Sequence, residues 1–267
     1  MCIICTGKIY KEDLYTLTEL NVSYCSNLTS EKLQEILTQC KNLIELRCDV
    51  CKSLTSLNLQ NNINLITLWC YSCISLTSLD LRNNKNLVTL WCFNCTSLTS
   101  LDLRNNIKLE TLECSYCKSL TSLDLRSVNL EELYCHHCIS LTSLDLRNNM
   151  NLKILWCSYI SLTSLDLRNN MNLKILNCYS CTSLTSLDLR NDIEIEYNNN
   201  IRYSKCPWIP QNKEFPNNLH NLIKLQKWYR RIVLIKYMKT KQFIEWIYNP
   251  NNIGARLYKV KLLKEFT

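Results

Sequence analysis

The chain has 267 residues, a formal net charge of +8 and 46% hydrophobic residues, enough for one elongated domain and an appendage. A mean hydropathy of -0.14, with no apolar run near the ~20 residues that a spanning helix needs, excludes a helical membrane protein. Residues 1–10 lack the charged start and long apolar stretch of a signal peptide, so the chain is expected to be soluble and intracellular, in the cytoplasm.

Eighteen cysteines suit a disulfide scaffold in a short secreted chain, whereas inside a cell they stay reduced. Their placement is set by an internal repeat, which has to be found before any element is assigned. The segment SLTSL begins at Ser53, Ser75, Ser97, Ser119, Ser140, Ser161 and Ser183, with spacings of 22, 22, 22, 21, 21 and 22.

Four regions follow in chain order. Residues 1–42 form an N-terminal cap and a first, longer repeat. There Leu17-x-x-Leu20-x-Val22-x-x-Cys25 runs through LTSEKLQEILTQC to Leu43, a period of 26. LTSEKLQEILTQC is predicted as a convex helix, with Thr29 or Ser30 capping it and Glu31 in its first turn.

Residues 43–190 are the repeats proper. Each unit has two halves, Leu98-x-x-Leu101-x-Leu103-x-x-Asn106 and Leu109-x-x-Leu112-x-Cys114-x-x-Cys117 in one of them. Apolar and polar residues alternate with period two inside each half, as half-buried strands require. The predicted fold class is therefore a leucine-rich repeat solenoid of stacked 21–22 residue coils. Each coil carries two short parallel strands, giving two facing sheets at ~4.8 Å per coil. No coil can bury its leucines alone; its neighbours complete the core.

The paired cysteines (Cys48/Cys51, Cys70/Cys73, Cys92/Cys95, Cys114/Cys117, Cys135/Cys138 and Cys178/Cys181) have zinc-like spacing. The repeat puts the first of each pair at an inward leucine position and the second at a corner. Where Cys157 should have a partner, Ile160 stands instead, and isoleucine packs but cannot ligate. Buried core thiols, with no metal and no cofactor, are the expectation. Asn84, Asn106, Asn149 and Asn170 hold the opposite corner and are expected to bond turn backbone. The coil with Ser127-Val128 after Arg126 is expected to have an irregular corner.

Two outer faces differ. One repeats Asp80, Asp102, Asp124, Asp145, Asp166 and Asp188 beside Arg82, Arg104, Arg126, Arg147, Arg168 and Arg190, which predicts a cross-linked charge ladder. The other is variable and aromatic. Its columns are Arg47, Trp69, Trp91, Glu113, Tyr134, Trp156, Asn177 and Asp49, Tyr71, Phe93, Ser115, His136, Ser158, Tyr179. Alternation predicts that they are exposed, and outward aromatics usually mark contact sites. Trp69, Tyr71, Trp91, Phe93, Tyr134, Trp156 and Tyr179 are the candidate partner-binding residues.

Residues 191–215 are an end cap and linker, and 216–267 a basic helical tail. Residues 205–267 hold 13 Lys or Arg against 3 Asp or Glu. Lys227, Arg230, Arg231 and Lys236 are its candidate residues for an acidic partner.

LTSLDL alternating with LxxLxC resembles the double-half leucine-rich repeats called IRREKO repeats, which implies the same solenoid. The segment from Leu17 to Leu43 resembles the cysteine-containing repeat of F-box adaptor proteins, and Leu225-Gln226-x-x-x-Arg230 resembles the start of an IQ motif. Base usage and tail together resemble leucine-rich repeat proteins of giant DNA viruses of amoebae, of the mimivirus kind, which implies a host cell as the setting. The expected function is non-enzymatic binding of another protein by the exposed sheet face. The alternatives are a ubiquitin-ligase substrate adaptor, or a tail that binds calmodulin, nucleic acid or an anionic membrane. No nucleophile–base pair or carboxylate dyad stands out from the repeats.

Overall fold

A computed structural model describes residues 14–184 and the strand Ser186–Asp188. The linker, the basic tail and Lys227, Arg230, Arg231 and Lys236 lie outside the described residues. Fourteen three-residue strands succeed one another among those described: β1 Glu19–Asn21, β2 Glu45–Arg47, β3 Ser56–Asn58, β4 Thr67–Trp69, β5 Ser78–Asp80, β6 Thr89–Trp91, β7 Ser100–Asp102, β8 Thr111–Glu113, β9 Ser122–Asp124, β10 Glu132–Tyr134, β11 Ile154–Trp156, β12 Ser164–Asp166, β13 Ile175–Asn177 and β14 Ser186–Asp188. Helix α1, Ser30–Leu37, interrupts them once where the period is 26. Thr29 caps it, its hydroxyl accepting from the Lys32 amide at 3.3 Å, and Leu33, Ile36 and Leu37 turn inward.

The variable half-repeats build one parallel eight-stranded sheet, in the order β1-β2-β4-β6-β8-β10-β11-β13. Register is strict: Trp69 pairs with Trp91, Trp91 with Glu113, Glu113 with Tyr134, and Tyr134 with Trp156. The expected second sheet is only partly formed. The LTSLDL strands pair two by two, β3 with β5, β7 with β9 and β12 with β14, and residues 143–145 form no strand. On this side Thr77 N–H reaches Thr55 O at 2.8 Å and Thr121 N–H reaches Thr99 O at 2.9 Å, while Leu59 N–H to Asp80 O is 3.4 Å.

Between the two sides lies one core of stacked leucines, with Leu46, Leu68, Leu90, Leu112, Leu133 and Leu155 all fully buried in register. Truncating one of these to alanine should cost ~2–5 kcal/mol.

Each corner of the coil is held by a repeated donor. At one corner the second cysteine of each pair donates its thiol to the carbonyl of the preceding coil: Cys73 to Cys48 O at 3.0 Å, Cys95 to Cys70 O at 3.1 Å, Cys117 to Cys92 O at 3.1 Å. At the other, asparagine amides do the same. Asn106 Nδ2 donates to Leu81 O at 3.0 Å and Asn84 O at 2.8 Å, and Asn84 bonds Leu59 O and Asn62 O alike. Asn62 belongs to this column too, donating to Leu37 O and Cys40 O; the sequence reading omitted it.

Both ladders break where a coil is one residue short. Val128, 2% exposed, fills the asparagine corner, and Ile160, 3% exposed, fills the cysteine corner. In each case the turn that follows the corner in other coils is missing. A shortened corner thus exchanges its polar donor for a β-branched apolar plug.

Every coil also carries one non-glycine residue in the left-handed region: Tyr24, Val50, Ser72, Asn94, Tyr116, His137, Tyr159 and Ser180, with φ between 53° and 62°. Such a conformation costs ~1–2 kcal/mol. It is repaid by ladder bonds one step beyond the strand, for example Val50 N–H to Tyr71 O at 2.8 Å and Tyr116 N–H to His136 O at 2.8 Å.

Candidate functional site

The Asp and Arg columns do not cross-link the coils as expected. Among the described residues, Arg82, Arg104, Arg126, Arg147 and Arg168 each fold back on the aspartate two residues earlier in the same coil. Arg104 Nε reaches Asp102 Oδ1 at 3.0 Å and its terminal nitrogen reaches Oδ2 at 2.7 Å, while the Arg104 amide also donates to Asp102 Oδ1. The same clasp recurs at 80/82, 124/126, 145/147 and 166/168. Between coils, Arg104 Nε lies 4.0 Å from Asp124 Oδ2. The two-residue spacing lets one carboxylate close the turn and hold the guanidinium, a geometry that wins over reaching to the next coil. A cleft of about 630 Å³ opens on this side around residues 143–145, where the ladder is broken, lined by Asp124, Arg126, Asp145, Arg147 and Asp166. Asp124, Asp145 and Asp166 are each already paired with their own arginine.

The cysteines lie in closed rows. Contact with the thiol of the next coil, and burial, raise Cys48, Cys70, Cys92, Cys114 and Cys157 well above the usual thiol range. Burial pushes Cys40 up to about 11. Thiols raised in this way are poor nucleophiles, whereas contact with Cys157 lowers Cys181. Among the described residues no cluster of His, Cys, Asp or Glu could hold a metal ion. The expectation of wholly reduced cysteines needs one correction: Cys25 is disulfide-bonded.

The aromatic face is the outer surface of the eight-stranded sheet. The period of two sends the middle residue of each strand inward and the flanking ones outward, and parallel register stacks equivalent positions one strand apart. In the first outward column, Arg47 lies over the Trp69 ring at 4.5 Å, Trp69 and Trp91 lie 4.4 Å apart, and Tyr134 meets Trp156 edge-on at 5.7 Å. A second row passes through the left-handed corners: Phe93 to Tyr116 at 5.3 Å, Tyr116 to His137 at 4.4 Å, His137 to Tyr159 at 4.2 Å and Tyr159 to Tyr179 at 5.0 Å. Tyr116 and Tyr159 were not singled out from the sequence. They occupy the corner position, whose direction depends on positive φ and is invisible to a period-two reading. Tyr71, near the start of the row, shares a 2.6 Å hydroxyl contact with Tyr24.

Exposure corrects the expectation in part. Trp69, Tyr71, Trp91, Phe93, Trp156 and Tyr179 are half-buried by one another. Tyr134 is buried, at 4% exposed, with its hydroxyl on Glu132 at 3.1 Å. Glu113, Ser115, Asp49 and Ser158 are buried as well. Small side chains between large rings sink below the surface that the rings create.

These sunken polar groups have displaced ionisation. Burial raises Glu113 to about 7, although the Ser115 amide, 2.9 Å from its Oε1, opposes the shift. Burial raises Asp49 to about 6 against the nearby Arg47. Burial, and then His137, lower His136 to about 4. Ser115 Oγ lies 2.7 Å from His136 Nδ1, a pairing that the sequence did not reveal. Ser115 is fully buried, and Glu113 faces its amide and not the imidazole. A substrate cannot reach that hydroxyl.

Comparison with known proteins agrees with this architecture. Residues 23–134 match the family model described as BspA type leucine rich repeat region, in six copies. The functional domain of InlJ from Listeria monocytogenes, which includes a cysteine ladder, is 31% identical with a TM-score of 0.54, over 68% of this chain and 41% of that one. Internalin C2 from Listeria monocytogenes is 18% identical with a TM-score of 0.38, over 73% of this chain and 83% of that one. No curated protein matches. The chain thus spans less than half the length of the InlJ chain that it matches. The fold is a leucine-rich repeat solenoid, and residues 23–134 are similar to the BspA type of repeat.

Proposed function

We propose that this protein is a non-enzymatic scaffold that binds another protein through the aromatic face of its eight-stranded sheet. The observation that carries this reading is the set of half-buried rings, Trp69, Trp91 and Trp156 in one column and Phe93 to Tyr179 in a second row, on one continuous sheet. Large aromatic side chains dominate interface energetics, and an outward apolar patch of this kind marks a contact surface. A sheet stacked on buried leucines holds the rings before any partner arrives, which lowers the entropic cost of binding. The likeness of the repeats to the functional domain of InlJ supports a scaffold role.

The test is affinity capture from cell lysate by the full-length chain, by a Trp69→Ala/Trp91→Ala variant, and by a variant with Lys227, Arg230, Arg231 and Lys236 all changed to Gln. Loss of a partner in the first variant and its retention in the second supports the sheet face. The reverse pattern, with capture abolished by salt, assigns binding to the basic tail and overturns the proposal.

A further inference from the structure

On its cysteine side the aromatic face ends in an edge without acids. The segments that start at the left-handed corners, 24–29, 50–55, 72–77, 94–99, 116–121, 137–142 and 159–163, hold no aspartate or glutamate. Their lysines are Lys52 and Lys118, both exposed. The lysine ion pairs among the described residues are those of Lys32 and Lys153, so neither ammonium of this edge has a carboxylate beside it. The column two residues past the corner runs Lys52, Ile74, Thr96, Lys118, Ile139. Ile74 is 40% exposed and Ile139 52%. Lys118 thus stands between two outward isoleucines, ~10 Å from one and ~5 Å from the other at the spacing of the coils.

Acids on either side of this edge are withdrawn or held. In the adjoining column Asp49 is 3% exposed and faces Arg47, and in the next Glu113 is 8% exposed. Glu45 and Glu132 open their strands, at the end away from the edge. On the LTSLDL side, Asp80, Asp102, Asp124, Asp145 and Asp166 are clasped by their own arginines.

The rings add to the same polarity. His137 is sandwiched between Tyr116 at 4.4 Å and Tyr159 at 4.2 Å, with interplanar angles of 20° and 12°. Its faces are covered, and the edge of an aromatic ring is the positive end of its quadrupole. Covered faces also leave no platform for the stacked bases of single-stranded nucleic acid. Burial, and then Lys118, hold His137 towards its neutral form, so the two lysines are the cations of this edge at neutral pH.

We propose that this edge, centred on Lys118 between Ile74 and Ile139, binds an acidic segment of the protein partner in which apolar residues flank the acids. A carboxylate at Lys118 meets an ammonium without a carboxylate of its own and no competing acid. Apolar side chains on either side of it cover the isoleucines. Each contact is weak singly, and they sum because the edge is already in place before binding.

This inference rests on the sheet-face reading for its partner, and its test is separable from that one. The full-length chain, ¹³C-labelled in its isoleucine methyl groups, is titrated with acetyl-Leu-Glu-Glu-Glu-Leu-amide and with acetyl-Leu-Gln-Gln-Gln-Leu-amide. The basic tail attracts any acidic peptide, so the readout is local: the methyl signals of Ile74 and Ile139, assigned through Ile74→Val and Ile139→Val. Both should move with the glutamate peptide and not with the glutamine one. Lys118→Gln should weaken that affinity ~3–5-fold, the scale of one exposed ion pair, and Lys118→Arg should keep it. Added salt should weaken it as well. Unmoved isoleucine signals, an equal response to the glutamine peptide, or unchanged affinity in Lys118→Gln overturns the proposal. So does a larger movement of the same signals with oligothymidine or with phosphatidylserine vesicles. If the Trp69→Ala/Trp91→Ala variant still loses its partner in those cases, the sheet face remains the binding surface and only the acidic segment falls.

Discussion

Cys117 donates its thiol to the carbonyl of Cys92 in the preceding coil at 3.1 Å, and across the core Asn106 donates to Asn84 O at 2.8 Å. The solenoid is pinned at opposite corners by two side chains of very different donor strength. Replacing Asn106 with Leu removes two amide bonds and leaves Leu81 O and Asn84 O without those donors in a dry corner. The expected loss is ~2–4 kcal/mol. Cys117→Ala removes one weak thiol bond and a small volume, for ~1–2 kcal/mol. Urea unfolding of the two variants checks the order; an equal loss would mean that the corners act by volume and not by hydrogen bonding.

Val50 is β-branched and sits at φ 59°, the least suitable of the eight left-handed corner residues. Val50→Asn keeps a side chain, tolerates the conformation and leaves the Val50 amide bond to Tyr71 O in place. A gain of ~0.5–1 kcal/mol is expected. Calorimetry at one pH measures it, and a lower melting temperature would show that packing of Val50 outweighs its strain.

Stability should depend on pH through Glu113. Its folded pKa, about 7, lies above the unfolded value near 4.5, so the folded state holds the proton more tightly. The contribution is fully present below the unfolded pKa and is lost as pH rises through the folded one. Asp49, raised to about 6, acts in the same sense. His136 acts oppositely: with its folded pKa lowered to about 4, stability falls as pH drops below the unfolded value of 6.5. Glu113→Gln should therefore match the parent at pH 4.5 and exceed it at pH 8. Identical melting curves at pH 8 would place the carboxyl in a well-solvated site.

The Asp–Arg clasps are exposed and local. Arg104→Ala should cost less than ~1 kcal/mol and be insensitive to salt, since exposed ion pairs contribute little. Asp102→Ala should cost slightly more, because it also removes the acceptor for the Arg104 amide. Thermal melts at low and high salt separate the two; a large salt-dependent loss would indicate a cooperative ladder along the face.

What was legible in the sequence is what repetition enforces. Leu98, Leu101 and Leu103 alternate with polar residues in every coil, so core, coil length and strand positions follow from periodicity, as does helix α1 from the longer period of its repeat. Ile160 and Val128 were recognisable as breaks because each interrupts a column. Pairing between coils, by contrast, carries no sequence signal: the LTSLDL side could form a continuous sheet by pattern, yet its described strands pair only two by two. Arginine reach is likewise decided in three dimensions, where the clasp onto Asp102 is nearer than the next coil. Burial of Glu113, Ser115 and Tyr134 depends on the rings beside them, which come from coils 21 or 22 residues away. The sequence by itself determined a leucine-rich repeat solenoid with one aromatic face, because period and side-chain direction are local properties of the backbone. Tertiary structure alone decided which of those outward residues form the surface and which form its floor, because exposure is a property of neighbours.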